Sequence, residues 1–157
     1  MTSRNQAEVT QTVILPQSKD AFFITLGFKE GGEKEALEAL TSLSSLTNAV
    51  GFRYPDAHLT AVAGIGAKMW DRLFDLEKPE HLHEFIELQG GKHHAPSTPG
   101  DLFFHIRADE FDVAFELARR INAIVEDDID YYDEVHAFQY QDFRDPLGFV
   151  DGTESPR

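Results

Sequence analysis

The sequence contains no cysteine among its 157 residues. This absence excludes disulfide bonds, thiolate-bound metal sites and a cysteine nucleophile. It also fits a reducing compartment, where structural disulfides are rare. The apolar fraction of 41%, with 13 Phe, still provides material for one compact domain with an aromatic-rich core.

Positive charge is scarce, because 14 Lys and Arg stand against 28 Asp and Glu, which gives a net charge of −14. Nucleic-acid binding needs a basic stripe that neutralises phosphates, so the composition argues against that partner. Long apolar runs are also missing, and residues 1–12 are polar without the apolar core of a secretion signal. We therefore expect a soluble cytoplasmic protein with neither nucleic acid nor membrane as a partner.

Hydrophobic periodicity predicts two successive β-α-β units. The predicted strands cover residues 21–28, 58–65, 101–107 and 130–140, and the predicted helices cover residues 33–50, 67–74 and 110–124. Residues 75–100 are punctuated by Pro and Gly and form a long connection with at most a turn of helix at residues 84–88. This order predicts an α+β fold of the ferredoxin-like (split βαβ) type. It is a four-stranded antiparallel sheet with helices on one face.

The sequence divides into a polar N-terminal extension, residues 1–20, and the ferredoxin-like domain, residues 21–141. The sheet face away from the helices needs cover, since it carries Phe and Tyr side chains. A partner subunit, a second domain or a cofactor would supply that cover.

Three groups of residues invite a functional interpretation, and each has a simpler one. The glycines at 64 and 66 do not complete a nucleotide-binding loop, because Met69 stands where a third glycine would be. Four histidines near carboxylates follow no helical metal-ligand spacing, so we expect them to face solvent: His81, His83, His93 and His94. The acidic run at residues 126–134 lacks the spacing and glycine of a calcium loop, and it favours a solvated helix end and strand edge.

The closing segment, residues 142–157, carries the most specific chemistry. Asp151 follows Phe149 and Val150 and precedes Gly152. A carboxylate among apolar side chains is desolvated, which raises its pKa and suits it to proton transfer. Gly148 and Gly152, which lie on either side of the Phe149-Val150-Asp151 stretch, permit tight turns and the close approach of a flat ligand. From residue types alone, an ordinary Asp-Gly turn remains the commoner explanation.

This segment resembles a known family. Gly148-Phe149-Val150-Asp151-Gly152 is similar to the GxxDG motif of the dye-decolorizing peroxidases, and the continuation through Thr153 and Glu154 resembles their bacterial B-type branch. Further segments resemble that branch in the same order, at residues 52–55, 64–66, 96–102 and 142–145. The resemblance covers nearly all of the chain after residue 21.

The resemblance implies a haem b peroxidase that reduces hydrogen peroxide and oxidises dyes, phenolics or other small-molecule reductants in one-electron steps. It implies that Asp151 is the catalytic acid-base residue, which moves a proton between the two peroxide oxygens. It also implies that Asp151, Gly152, Thr153 and Glu154 line the haem. No residue of this chain is expected to ligate the iron, because none of its seven histidines stands at the family's ligand position.

In the family, the iron ligand and a distal arginine come from a second ferredoxin-like domain. We therefore expect this chain to be the N-terminal half of a longer enzyme, with residues 142–157 leading into the second half, and we expect the half alone to be inactive. The resemblance also implies a homo-oligomer and packaging inside an encapsulin shell. Two alternatives remain: a non-catalytic ferredoxin-like binding or dimerisation module, and a monooxygenase of the dimeric α/β-barrel type.

Overall fold

A computed structural model describes residue 11 and residues 13–149. Its four main strands are β1 (Asp20–Phe28), β2 (Thr60–Ile65), β5 (Leu102–Ala108) and β6 (Ile129–Phe138). Three helices connect them, α1 (Glu33–Gly51), α2 (Ala67–Leu73) and α3 (Phe111–Val125). Short 3-10 turns occupy Pro55–Ala57 and Gln141–Phe143.

The main sheet has the strand order β2-β5-β1-β6, and all of its neighbours are antiparallel. The strand that comes first in the chain therefore lies in the centre of the sheet, and the two halves of the chain interleave. This is the predicted ferredoxin-like arrangement, which is confirmed. The observed strand and helix bounds differ from the predicted ones by at most two residues, and several of them coincide.

The core lies between the sheet and the helices. Even-numbered residues of β1 and β5 alternate onto this side and are buried: Phe22, Ile24, Leu26, Phe28, Leu102, Phe104, Ile106 and Ala108. Both long helices turn an apolar stripe towards them, which includes Ala36, Ala39 and Leu43 of α1 and Ala114, Leu117 and Ile121 of α3. Small side chains on the helices allow the helix backbones to lie close to the sheet. The aromatic side chains of the strands fill the space that remains between the two layers.

The opposite side of the sheet is the open face. It carries the odd-numbered residues of β1 and β5, such as Phe23, Phe103 and His105, together with Val135 of β6. Phe103 is 39% exposed and Val135 is 51% exposed. No described element covers these apolar side chains, in agreement with the expectation that this face needs a partner.

The connection between α2 and β5 contains a small hairpin that the sequence did not predict. Strands β3 (Leu88–Gln89) and β4 (His94–Ala95) pair antiparallel, and Gly90 N–H donates to the His93 carbonyl at 2.8 Å. Residues 84–87 form no helix, which lies within the expectation of at most one turn there, and Leu88 belongs to β3. The chain reverses over residues 90–93, between the two short strands.

Candidate functional site

The described part of the candidate site is a tight turn at residues 145–149, which immediately precedes the predicted Val150-Asp151-Gly152 segment. Two hydrogen bonds join Asp145 and Phe149, one between backbone groups and one to the Asp145 side chain. Asp145 N–H donates to the Phe149 carbonyl at 2.9 Å. Phe149 N–H donates to the Asp145 carboxylate at 3.0 Å, and Leu147 N–H donates to the same oxygen at 2.9 Å. One carboxylate oxygen thus satisfies two backbone donors and fixes the shape of the turn.

Gly148 and Arg144 complete this turn. Gly148 has φ +93°, a conformation that glycine adopts without steric cost, and its N–H donates to the Asp145 carbonyl at 2.9 Å. The Arg144 guanidinium donates from Nη1 to the Gly148 carbonyl at 2.9 Å. This bond connects the side chain of Arg144, just before the turn, to the backbone of Gly148 near the end of the turn.

The turn is connected to the end of the main sheet. Strand β6 ends at Phe138, and Gln139 N–H donates to the Lys19 carbonyl, just before β1, at 2.6 Å. An isolated antiparallel bridge joins Tyr140 and Arg144. Residues 139–144, which lead into the turn, are therefore attached to the main sheet beside the start of β1. This attachment sets the position of Gly148, the first residue of the GxxDG motif.

Two apolar side chains of the turn are exposed. Leu147 is 84% exposed and Phe149 is 69% exposed, although both flank a backbone that is well hydrogen-bonded. Apolar side chains held outwards on an ordered turn are suited to contact a flat apolar group or another domain.

The predicted site residues themselves, Asp151, Gly152, Thr153 and Glu154, lie outside the described residues. The sequence alone did not single out Asp145 and Arg144, which shape the turn that precedes these residues in the chain. The spacing carried a usable signal, because an Asp followed three residues later by a Gly is typical of a side-chain-stabilised turn.

The structure also places the four histidines and the glycines at 64 and 66. His81, His83, His93 and His94 are exposed, and within residues 13–149 no three His, Asp or Glu side chains converge as a metal site would require. Gly66 serves backbone packing, because a Cβ built on it would lie 2.3 Å from the Gly100 carbonyl oxygen. No helix in the described part of the chain is long and apolar enough to cross a bilayer.

Residues 10–139 match the family model "Dyp-type peroxidase, N-terminal". The chain belongs to this family. The Dyp-type match spans both β-α-β units and ends just before the turn at residues 145–149, so the whole ferredoxin-like fold described above is the family's N-terminal fold.

Curated Dyp-type relatives extend the comparison. The chain is 51% identical over 146 residues to a dye-decolorizing peroxidase of Mycolicibacterium paratuberculosis, with 93% of this chain and 41% of the relative covered. It is 49% identical to a dye-decolorizing peroxidase of Brevibacterium linens, with 93% and 40% covered. The chain therefore spans about two fifths of the length of these relatives.

Solved structures of DyP-type peroxidases also match this chain over about half of their own length. The encapsulated DyP-type peroxidase from Mycobacterium smegmatis superposes with a TM-score of 0.86 at 46% identity, over 94% of this chain and 48% of that one. DyPB from Rhodococcus jostii RHA1 superposes with a TM-score of 0.83 at 43% identity, over 93% and 48%. A variant of the Rhodococcus jostii protein has been solved in complex with heme.

Proposed function

We propose that the protein is a haem-dependent peroxidase of the dye-decolorizing type, which reduces hydrogen peroxide and oxidises dyes or phenolics in one-electron steps. The observation that carries this proposal is the family match over residues 10–139, together with 51% identity to a relative named dye-decolorizing peroxidase. The chain covers 41% of that relative, so the proposal concerns an enzyme to which this chain contributes the N-terminal domain.

Two exposed side chains of the turn at residues 145–149 support contact with a haem. Leu147 and Phe149 are exposed on a turn fixed by Asp145, and such apolar side chains suit contact with a flat ring. Asp151, Gly152, Thr153 and Glu154 follow this turn directly and would line the haem. When bound, the haem supplies an iron centre that exchanges electrons with peroxide and with the reductant. In this proposal the iron ligand comes from a C-terminal half.

Asp151 is the catalytic acid-base residue of this proposal. Its carboxylate accepts a proton from one peroxide oxygen and donates it to the other, so that water can leave. Proton transfer needs the carboxylate within hydrogen-bond reach of both oxygens, so its position matters as much as its pKa. The turn centred on Asp145 and held by Arg144 supports this role, because it fixes the backbone two residues before Asp151.

The open face of the sheet supports the proposal of a second half. Phe103 and Val135 are 39% and 51% exposed there, and burying them against a second domain would stabilise both halves. We accordingly divide the protein into an extension at residues 1–20, the ferredoxin-like domain at residues 21–141, and a distal loop at residues 142–157 that leads to the C-terminal half.

We propose a cytoplasmic homo-oligomer for the assembled enzyme. The Mycobacterium smegmatis relative is an encapsulated DyP-type peroxidase, which supports packaging inside an encapsulin shell. The net charge of −14 supports the proposal that neither nucleic acid nor an anionic membrane is a partner.

Replacement of the proposed acid-base residue tests this function. In the full haem-loaded protein, Asp151→Asn should slow the reaction with hydrogen peroxide by at least a hundredfold, a common loss for a general acid-base group. The haem should remain bound, so the visible spectrum before peroxide addition should be unchanged. Asp127→Asn is the matched control, because Asp127 is exposed just after α3. An unchanged rapid-mixing rate in Asp151→Asn would exclude the acid-base role.

A further inference from the structure

The main sheet has two edge strands, β2 and β6, which differ in what lies along their outer edges. At β2, the Gln11 side-chain amide accepts from Ala63 N–H at 2.7 Å and donates to the Ala63 carbonyl at 2.9 Å. This side chain therefore occupies the place where a further strand would pair. Among the described residues nothing pairs in this way with β6, which is ten residues long. An open edge of that length is a template for another strand.

The outward-facing backbone groups of β6 belong to its even-numbered residues. Gln139 N–H donates inwards to the Lys19 carbonyl at 2.6 Å, and inward and outward bonding alternate along an antiparallel strand. Residues 133, 135 and 137 therefore bond to β1, whereas residues 132, 134, 136 and 138 direct their N–H and carbonyl groups away from the sheet. A strand added at this edge extends the sheet sideways, whereas the second half proposed above would cover its open face.

The side chains of these even-numbered residues lie on the helix side of the sheet. They are paired with the buried residues of β1, and the His136 ring lies 4.2 Å from that of Phe22 between centroids. Tyr132 and His136 both hydrogen-bond to the Glu134 carboxylate. Tyr132 is 43% exposed and Phe138 is 65% exposed. The edge therefore carries, in chain order, an aromatic ring, a carboxylate, an imidazole and a second aromatic ring.

This order of side chains is complementary to itself in an antiparallel pairing. With a two-fold axis beside Val135, each Glu134 would lie opposite His136 of the partner copy, and each Tyr132 opposite Phe138 of the partner copy. Pairs of opposite charge and pairs of aromatic rings are favourable at such opposed positions. An imidazole can donate to a carboxylate in either protonation state. Self-complementarity of this kind is what an isologous interface requires, because the same surface serves both copies.

The backbone favours the same register. The four opposed residues are those whose N–H and carbonyl groups face outwards, so each opposed pair would exchange two hydrogen bonds. An axis at Asp133 or Glu134 would instead place that carboxylate opposite its own copy, and like charges there are unfavourable. An axis at His136 would leave Glu134 opposite Phe138 of the partner copy, without a donor. The charges on this edge therefore select one register among the alternatives.

Two aromatic side chains of α3 extend the surface beside this edge. Phe111 and Phe115 are 44% and 49% exposed, although both rings lie next to the buried ring of Phe22. The Phe111 ring is also 5.5 Å from that of His136, so these side chains flank β6 on the helix side. A second copy that adds its own β6 here would come alongside them and bury part of this apolar area.

We propose that two copies of the protein associate through β6, antiparallel about a two-fold axis beside Val135, so that their two four-stranded sheets join into one continuous sheet. This interface specifies one contact of the homo-oligomer proposed above. It requires neither haem chemistry, nor peroxide, nor Asp151. Failure of the interface would therefore leave the proposed peroxidase activity intact, and loss of that activity would leave the interface intact.

Disulfide cross-linking in the full protein tests the register. Glu134→Cys and His136→Cys subunits, co-expressed with different tags, should form a mixed intermolecular disulfide on mild oxidation, because opposed Cα atoms lie about 5.5 Å apart. Either variant alone should not cross-link, since two copies of one of these positions lie beyond the ~7 Å that a disulfide spans. This chain has no cysteine, so wild-type protein oxidised in parallel controls for cysteines elsewhere in the enzyme.

Sedimentation analysis of the full haem-loaded protein measures the strength of the association. His136→Glu places two carboxylates opposite each other on both sides of the axis, so it should weaken self-association at least tenfold. Exchange of the two residues, Glu134→His with His136→Glu, restores the opposition and should recover most of the affinity. The matched control is His81→Glu, an exposed position in the connection after α2, which should leave association unchanged.

Three results would overturn the proposed interface. The first is a full protein that remains monomeric at every concentration. The second is absence of the mixed disulfide when both cysteine variants are folded and bind haem. The third is self-association of a folded His136→Glu variant as tight as that of the wild type.

Discussion

Asp145 and Phe149 are hydrogen-bonded to each other in both directions, backbone to backbone at 2.9 Å and carboxylate to backbone at 3.0 Å. This pair closes the turn that precedes Asp151. The main chain in this turn is therefore determined largely by the side chain of Asp145, which precedes the proposed acid-base residue Asp151 in the sequence.

Replacement of Asp145 should separate positioning from chemistry. Asp145→Ala removes the acceptor of two backbone N–H groups, and we expect the peroxide reaction of the haem-loaded protein to slow about tenfold, which corresponds to ~1.4 kcal/mol. Asp145→Asn keeps an oxygen in the same place and should retain most of the rate. Rapid-mixing spectrophotometry measures both. Equal losses in the two variants would contradict a positioning role for the carboxylate oxygen.

Gly66 and Gly100 make a backbone contact that only glycine permits at position 66. A Cβ at this position would lie 2.3 Å from the Gly100 carbonyl oxygen, which belongs to backbone and cannot rotate away. We expect Gly66→Ala to lower the free energy of unfolding by about 1–3 kcal/mol, the usual cost of overpacking. Gly91→Ala is the control, because a Cβ there meets nothing within 4 Å. Urea denaturation checks both, and equal stability of the two variants would contradict this reading of the contact.

Much of this fold follows from the sequence because its local signals agree with one another. The continuous apolar character of residues 21–28 correctly indicated a central strand, and the stripe from Phe111 to Ile124 correctly indicated a helix packed on the sheet. The hairpin at residues 88–95 was missed, since its two-residue strands are exposed and carry no periodicity. The turn at residues 145–149 was missed for another reason: it is held by hydrogen bonds to the Asp145 side chain rather than by any periodic pattern.

Asp109 should make stability depend on pH in acid. The hydrogen bond from His58 first, and that from Lys19 N–H with it, hold the pKa of the Asp109 carboxyl below its ordinary value of about 3.9. A lowered pKa in the folded state means that the carboxylate stabilises the fold above the unfolded-state pKa, and that this contribution is lost as pH falls through the folded value.

We therefore expect the wild-type protein to be more stable than Asp109→Asn by roughly 0.5–1 kcal/mol near neutral pH, a modest figure for a partly exposed pair. The difference should begin to shrink as pH falls below about 4, where the Asp109 carboxyl of the unfolded chain gains its proton, and it should be lost as pH falls through the lower folded-state pKa. Thermal or urea unfolding across the acid range measures it. Asp75→Asn, an exposed site in the connection after α2, should show no such loss. A wild-type advantage that grows on acidification would contradict the sign of the linkage.

Arg72 joins four parts of the fold and should dominate the stability of this end of the sheet. From α2 it donates to Glu33 at the start of α1 at 2.8 Å, to the Phe28 carbonyl at the end of β1 at 3.0 Å, and to the Lys29 carbonyl at 2.6 Å. It also donates to the Asp101 carboxylate at 3.3 Å. Asp101 in turn accepts from Phe28 N–H at 2.7 Å, so the same carboxylate fixes the entry into β5.

Arg72→Ala should lower the free energy of unfolding by about 2–3 kcal/mol, because it leaves half-buried carbonyl and carboxylate groups without their donor. Arg72→Lys should recover less than half of that loss, since one ammonium cannot reach Glu33 and two carbonyls as a planar fork does. Arg119→Ala, which breaks an exposed pair with Glu116 on α3, should cost much less stability than Arg72→Ala. Chemical denaturation distinguishes the three, and full rescue by lysine would show that charge alone, rather than the guanidinium geometry, holds this junction together.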